Sequence, residues 1–174
     1  GIDPSPAMVE LARREHPELA EVRVADVRDL AYDAEFDAVV SFTALHWVVE
    51  RHDVALAAMR RALVPGGLLA TTFPGAGNMH VLTTAAEMVM DEPRFAPHFA
   101  GMRFPWLFPD TSAYAPLVLD AGLAIERLEL VPIDVEHRGH DALAGWIRTT
   151  WMPYTERLPT DLRNAWIDAV ARRF

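Results

Sequence analysis

Gly1-Ile2-Asp3-Pro4-Ser5-Pro6-Ala7-Met8 is the stretch on which the fold turns. Gly1-Ile2-Asp3 reads as the tail of a strand. Ser5 is a good N-cap, and Pro6 falls at the first helical position, where a missing N–H costs nothing. Met8, Leu11 and Ala12 then form an apolar stripe at helical spacing, and Pro17 ends the helix. Val22 to Ala25 reads as a short strand followed at once by Asp26. Asp37 to Phe42 holds the apolar run Ala38-Val39-Val40, the pattern of a strand buried on both faces. Asp53 suits the cap of a further helix with the stripe Leu56, Met59 and Leu63. Pro65-Gly66-Gly67 is expected to break the chain before a strand over Leu68 to Phe73. Strands alternating with helices at these lengths predict an α/β fold with a largely parallel sheet.

The remainder is less regular. Pro74 to Pro109 is rich in Pro, Met, Phe and His and reads as an inserted helix with loops. Ser112 to Ala121 is helical and stopped by Gly122, and Leu123 to Val131 is strand-like. Asp141 to Trp151 and Thr160 to Phe174 carry the helical stripes Leu143, Ile147, Trp151 and Leu162, Trp166, Val170. No strand is evident after the last helix. The expected organisation is a core over residues 1–73, a cap insertion over 74–110, and a C-terminal part of the same domain over 111–174.

The whole chain of 174 residues suits one domain with its own core. With Cys 0, disulfides and thiolate metal sites are excluded. No stretch approaches the roughly 18 apolar residues of a membrane span. No basic, apolar signal segment opens the chain, so a cytoplasmic setting is expected. The net charge is −9, and all 16 basic residues are arginine. Residues 1–50 hold 11 acids against 4 arginines. Neither half has a basic patch, which argues against binding a phosphate backbone and favours a small-molecule partner. His80, His98, His137 and His140 lack the convergent spacing of a metal site, and none is expected.

Ligands of open α/β sheets bind beyond the carboxyl ends of the strands. Asp3, Asp26 and Ser41-Phe42-Thr43 occupy three such ends. One carboxylate offers two acceptor oxygens and can take both hydroxyls of a ribose. A second acid on the next strand can meet an adenine amino group. Asp3 also suits a plain turn before Ser5-Pro6, and Asp26 a plain loop acid; together, in strand context, they favour the ligand.

Four segments in order resemble a family. Residues 1–8 are similar to the second-strand motif of class I S-adenosylmethionine-dependent methyltransferases. Ala25-Asp26-Val27 resembles their adenine segment, and Phe36-Asp37-Ala38-Val39-Val40-Ser41 with Ala44-Leu45-His46-Trp47 the fourth-strand motif. Leu63-Val64-Pro65-Gly66-Gly67-Leu68-Leu69 resembles the turn into strand five. His46-Trp47 and the stretch from Trp146 through Arg148 to Tyr154 are similar to the trans-aconitate 2-methyltransferase group. The resemblance implies a Rossmann-like sheet with helices on both faces, a helical and loop substrate cap, and S-adenosyl-L-methionine as cofactor. By it, Asp3 holds the ribose, Asp26 the adenine amino group and the Val27 N–H the ring nitrogen. Ile2 and Met8 line the adenine, Ser41 and Ala44 lie near the methionine part, and His46 and Trp47 face the acceptor.

The family's Gly-rich loop would precede Gly1, and Gly75-Ala76-Gly77 follows a later strand and cannot replace it. The expectation is therefore an interior piece lacking strand one and the last strand, with weak cofactor binding and self-association through exposed sheet edges. A small carboxylate such as trans-aconitate needs no base but wants a cationic clamp. Arg148 lies in the family-like stretch, with Arg103 and Arg138 as further cations. Trp106, Tyr114 and Trp146 are acceptor-side aromatics, and His46 suits a base for a hydroxyl acceptor. Two other readings stay open: a nicotinamide dinucleotide domain, and a non-catalytic domain that works through protein association.

Overall fold

The computed structural model describes residues 1–19 and 21–174. They divide into two compact units, residues 1–76 with 106–130 and residues 77–105 with 131–174.

The first unit is mixed α/β. Strand β1 (Ile2–Asp3) leads into α1 (Pro6–Glu15), then β2 (Arg23–Val24), β3 (Phe36–Phe42), α2 (His52–Ala62), β4 (Leu63–Thr72) and α5 (Thr111–Asp120). Single 3-10 turns stand at Val27–Asp29 and Leu45–Trp47. Among the described residues the strands form two parallel pairs, β1 with β2 and β3 with β4. Ser5 caps α1 by accepting the Met8 N–H, and Pro6 occupies its first turn. The helix stops before Pro17, whose ring disfavours helical backbone in the residue ahead of it. Its buried residue is Val9, whereas Met8 is exposed, because the stripe is turned one position from the expected one.

Three further expectations change. Asp53 does not cap α2: Arg51 stands at the N-cap with φ 55°, and Asp53 sits in the first turn, where its charge opposes the positive helix end. Pro65-Gly66-Gly67 does not end a strand but lies inside β4. Pairing steps from Phe36↔Leu63 to Ala38↔Leu68, so the four residues from Val64 to Gly67 stand opposite Asp37 and form a bulge, one of the settings in which a sheet accepts proline. Gly66 supplies the positive φ of 80°, and a Cβ on Gly67 would meet the Asp37 carbonyl at 3.0 Å. Ala38-Val39-Val40 is not buried on both faces: Ala38 and Val40 are exposed and Val39 is half-buried. β3 pairs only with β4 among the described residues, so little covers its faces. Leu123 to Val131 forms no strand. Its alternation is local, and no neighbouring strand supplies the ladder that alternation needs.

The core of this unit gathers Val9, Val22, Leu30, Leu45, Leu56, Met59 and Leu63. Arg61 donates to the Leu30 and Tyr32 carbonyls and ties the loop before β3 to α2.

The second unit is helical: α3 (His80–Met90), α4 (Ala96–Phe99), α6 (His140–Thr150), α7 (Met152–Thr155) and α8 (Thr160–Arg173). The stripes around Leu143, Ile147 and Trp151 and around Trp166 and Val170 are buried as their spacing requires. Trp166 stacks on Tyr154 at 5.7 Å and lies 5.7 Å from Phe99. Burial pushes the Tyr154 hydroxyl pKa well above its usual value. No helix among the described residues is long and apolar enough to cross a membrane.

Candidate functional site at the strand ends

The parallel register pairs Asp3 with Val24, and the Ala25 N–H donates to the Asp3 carbonyl at 3.2 Å. The carboxyl ends of β1 and β2 thus lie side by side, with Asp3 on one and Asp26 just past the other. Asp3 Oδ1 accepts the Ser5 N–H at 2.8 Å, an Asx turn that orients the carboxylate. Among the described residues its other oxygen has no hydrogen-bond partner, so its lone pairs are open to a ligand.

Asp26 is more heavily engaged. Its Oδ1 accepts both the Arg28 N–H at 2.8 Å and Arg28 Nε at 2.9 Å, and its Oδ2 accepts Nη2 at 2.6 Å. The guanidinium hydrogen bonds hold the Asp26 carboxyl below its ordinary pKa. Three bonds leave one lone pair on Oδ2 for a ligand donor. Arg28 Nη1 also reaches the Glu50 carbonyl at 3.3 Å. The arginine therefore joins the β2 end to the loop that follows Leu45–Trp47. Sequence reading missed Arg28, although its place two residues after an acid was visible.

At the end of β3, Ser41 is half-buried and Ala44 exposed. Thr43 between them has φ 54°, and its N–H donates to the Thr72 carbonyl at 2.7 Å. A β-branched residue rarely adopts that conformation. With Arg51 it brackets the short turn that carries His46 and Trp47, and such strain collects at functional loops.

His46 is buried, at 7% exposure, while Trp47 is 44% exposed. The His46 ring lies 5.2 Å from Trp47 and 6.2 Å from Phe108. Trp47 meets Trp106 edge-on at 5.9 Å, and Trp106 stacks on Phe108 at 5.8 Å. The Leu107 N–H donates to the His46 carbonyl at 2.8 Å and fixes the aromatic segment against the turn. His46 Nδ1 is buried without a hydrogen-bond partner among the described residues. Burial lowers the His46 pKa and keeps the ring neutral.

Tyr114 is buried, and its hydroxyl lies 2.9 Å from His52 Nε2. Burial pushes the phenol up to about 12. Trp146 and Arg148 belong to the second unit. Trp146 is half-buried beside His137 at 5.3 Å; Arg148 is exposed and donates to Asn164 at 3.4 Å. The structure gathers Trp106 with His46 and Trp47 and commits the Tyr114 hydroxyl to His52. Ile2 and Val27 are half-buried and Met8 is exposed, all beside the β1 and β2 ends. No group of three acids or histidines among the described residues could hold a metal.

These ends suit a nucleoside. Among the described residues, a carboxylate oxygen without a hydrogen-bond partner stands on one strand, and an acid with one remaining lone pair stands on its neighbour.

Residues 1–71 match the family model of the methyltransferase domain. The chain is 27% identical over 177 residues to a trans-aconitate 2-methyltransferase of Variovorax paradoxus, covering 99% of this chain and 66% of that protein. It is 28% identical to one of Methylobacterium radiotolerans, with the same coverage. A Mycobacterium tuberculosis trans-aconitate 2-methyltransferase is 29% identical over 163 residues, covering 90% of this chain and 59% of that protein. The chain thus spans at most 66% of the length of these curated relatives. In fold it resembles a chain of the complex between the Haloferax volcanii Trm112 methyltransferase activator and a methyltransferase. The TM-score is 0.56 at 21% identity, covering 81% of this chain and 57% of that one. The ordered strand-end motifs and these matches agree: over residues 1–71 the chain is similar to the methyltransferase domain, and along most of its length to trans-aconitate 2-methyltransferases.

Proposed function

We propose that this chain serves methyl transfer from S-adenosyl-L-methionine to a small-molecule acceptor. The observation that carries the reading is Asp3, held by Ser5 with one carboxylate oxygen left for a ligand, at the end of a strand paired with the one that precedes Asp26. Asp3 holds the ribose, the last lone pair of Asp26 takes the adenine amino hydrogen, and the Val27 N–H meets the ring. Ile2 and Met8 flank the adenine. Ser41 and Ala44 border the methionine part.

When bound, the cofactor supplies an electrophilic methyl group, and the chain's task is to align the acceptor and exclude water. His46 and Trp47 face the acceptor, with Trp106 and Tyr114 as further acceptor-side residues of the first unit; Trp146 and Arg148 are the acceptor-side candidates of the second unit taken by itself. A carboxylate acceptor arrives ionised; a hydroxyl acceptor gives its proton to neutral His46. The names of the relatives favour trans-aconitate or a related acid as acceptor. The activator in the Haloferax volcanii complex, with the exposure of Val40 and Phe42 on β3, supports a protein partner or self-association along that strand. A cytoplasmic setting suits such a reaction.

The test is cofactor binding by calorimetry to the chain and to its Asp3→Ala variant. Removing a charge-assisted hydrogen bond to a ribose costs about 1.5–3 kcal/mol, which is about a 10- to 150-fold loss of affinity. Equal affinities would remove Asp3 from the site.

A further inference from the structure

Asp26 caps the 3-10 turn Val27–Asp29 with a single bond, its Oδ1 accepting the Arg28 N–H. The Arg28 guanidinium adds what capping does not need. Its Nε donates to the same Oδ1 at 2.9 Å and its Nη2 to Oδ2 at 2.6 Å, a two-point fork that fixes the carboxylate in its plane. Its Nη1 reaches the Glu50 carbonyl at 3.3 Å, so the fork is itself held from the far side. Asp29 and Glu50 are the other acids whose charge the guanidinium feels. The Asp26 side chain is nonetheless 30% exposed and open to a ligand.

A carboxylate held in this way reads one chemistry. It is ionised at neutral pH and can only accept. One lone pair remains, on Oδ2, and it can take an N–H but offers nothing to an oxygen. Purines differ at this point: position 6 carries an amino donor in adenine and an oxygen acceptor in hypoxanthine or guanine. A free carboxylate can turn away from an opposing oxygen, whereas a clamped one must face it, and two acceptors brought together each lose a hydrogen bond to water. We propose that Arg28 is a positioning residue for nucleobase choice: it clamps Asp26 so that the site accepts a 6-amino purine and rejects a 6-oxo one. The inference rests on the methyl-transfer reading, in which Asp26 meets the adenine amino group, and adds the residue that makes this contact selective.

The test titrates S-adenosylhomocysteine and S-inosylhomocysteine by calorimetry into the unaltered chain at pH 7.5. The adenosyl form should bind at least about tenfold tighter, the worth of one hydrogen bond to a charged group. By the same reading the Val27 N–H opposes the proton on the hypoxanthine ring in every variant, so changes in the preference report on Asp26 and Arg28. Arg28→Met keeps the side-chain stem and the main-chain N–H and removes the fork. It should weaken adenosyl binding by about 2- to 10-fold without weakening inosyl binding; a residue that only supports the fold would weaken both alike. Asp26→Asn should also cut the preference. Arg28→Met added to it should then change the preference little, because no carboxylate is left to clamp. Urea midpoints check that each variant folds, and Arg28→Lys, which keeps the charge and loses the fork, carries the same expectation should Arg28→Met not fold. Equal binding of both ligands by the unaltered chain, an unchanged preference or an equal loss of both ligands in Arg28→Met, or a full further loss of preference in the double variant overturns the proposal and leaves the methyl-transfer reading standing. Binding of neither ligand by the unaltered chain would fail that reading and this inference with it.

Discussion

Tyr114→Phe isolates the contact that joins α5 to α2. His52 Nδ1 lies 3.0 Å from the Val48 carbonyl, which can only accept, so the ring proton sits on Nδ1. Nε2 is then the acceptor, and the Tyr114 hydroxyl donates to it at 2.9 Å inside the core. Phenylalanine keeps the ring contacts to His52 at 5.5 Å and Phe73 at 5.2 Å. Nε2 alone is left unpaired, and a buried orphaned acceptor costs about 1–3 kcal/mol. A loss of about 2 kcal/mol in a chain of this size lowers Tm by about 4–8 °C. Thermal unfolding by circular dichroism reads the shift, and urea titration checks that the m-value is unchanged. Combined with His52→Phe, the double variant should cost less than the two single changes added, because each single change strands one partner. A Tm shift below about 1 °C in Tyr114→Phe, or strict additivity in the cycle, would refute the hydrogen-bonded account.

Three other outcomes follow from the same contacts. His46 and His52 both have pKa values lowered chiefly by burial. The unfolded chain, titrating near 6.5, takes up protons that the folded chain refuses. Stability is therefore full at pH 7.5 and falls as pH drops below about 6.5, before the carboxylates begin to titrate; the urea midpoint at pH 5.5 should be lower than at pH 7.5, and less so in His52→Phe. Gly75→Ala should destabilise by about 1–3 kcal/mol, because the new Cβ would clash with Leu130 Cδ2 and stand 3.1 Å from the Pro109 carbonyl; Leu130→Ala in the same chain should recover part of that in a denaturation assay. Thr43→Gly should raise the urea midpoint by relieving the backbone at φ 54°, a gain of about 1 kcal/mol once the entropy cost of glycine is subtracted; an unchanged or lower midpoint would mean that Thr43 is not strained.

Local signals survived well. The Ser5-Pro6 start of α1, its stop before Pro17, and the stripes of α2, α6 and α8 follow from capping and 3.6-residue periodicity within a few residues. Asp3 and Asp26 could be placed at strand ends for the same reason. Failures came where a partner is needed. Ala38-Val39-Val40 looked doubly covered, yet apolar text states only that a strand could be buried and says nothing about what lies over it. Leu123 to Val131 alternates like a strand, and its alternation found no ladder. Pro65-Gly66-Gly67 carried a true signal of irregular backbone, and only the pairing with Asp37 decided between a chain break and a bulge.

The site divides along the same line. The sequence by itself determined the α/β alternation, the order of the four motifs and the acids at the ends of β1 and β2, all of which depend on residues within a few positions of one another. Tertiary structure alone brought Arg28 Nη1 to the Glu50 carbonyl, 22 positions away. It alone paired Tyr114 with His52 across 62 positions and left His46 Nδ1 without a hydrogen-bond partner among the described residues. Propensity and periodicity are properties of neighbours along the chain, but which lone pairs remain for chemistry depends on who arrives from elsewhere in the fold.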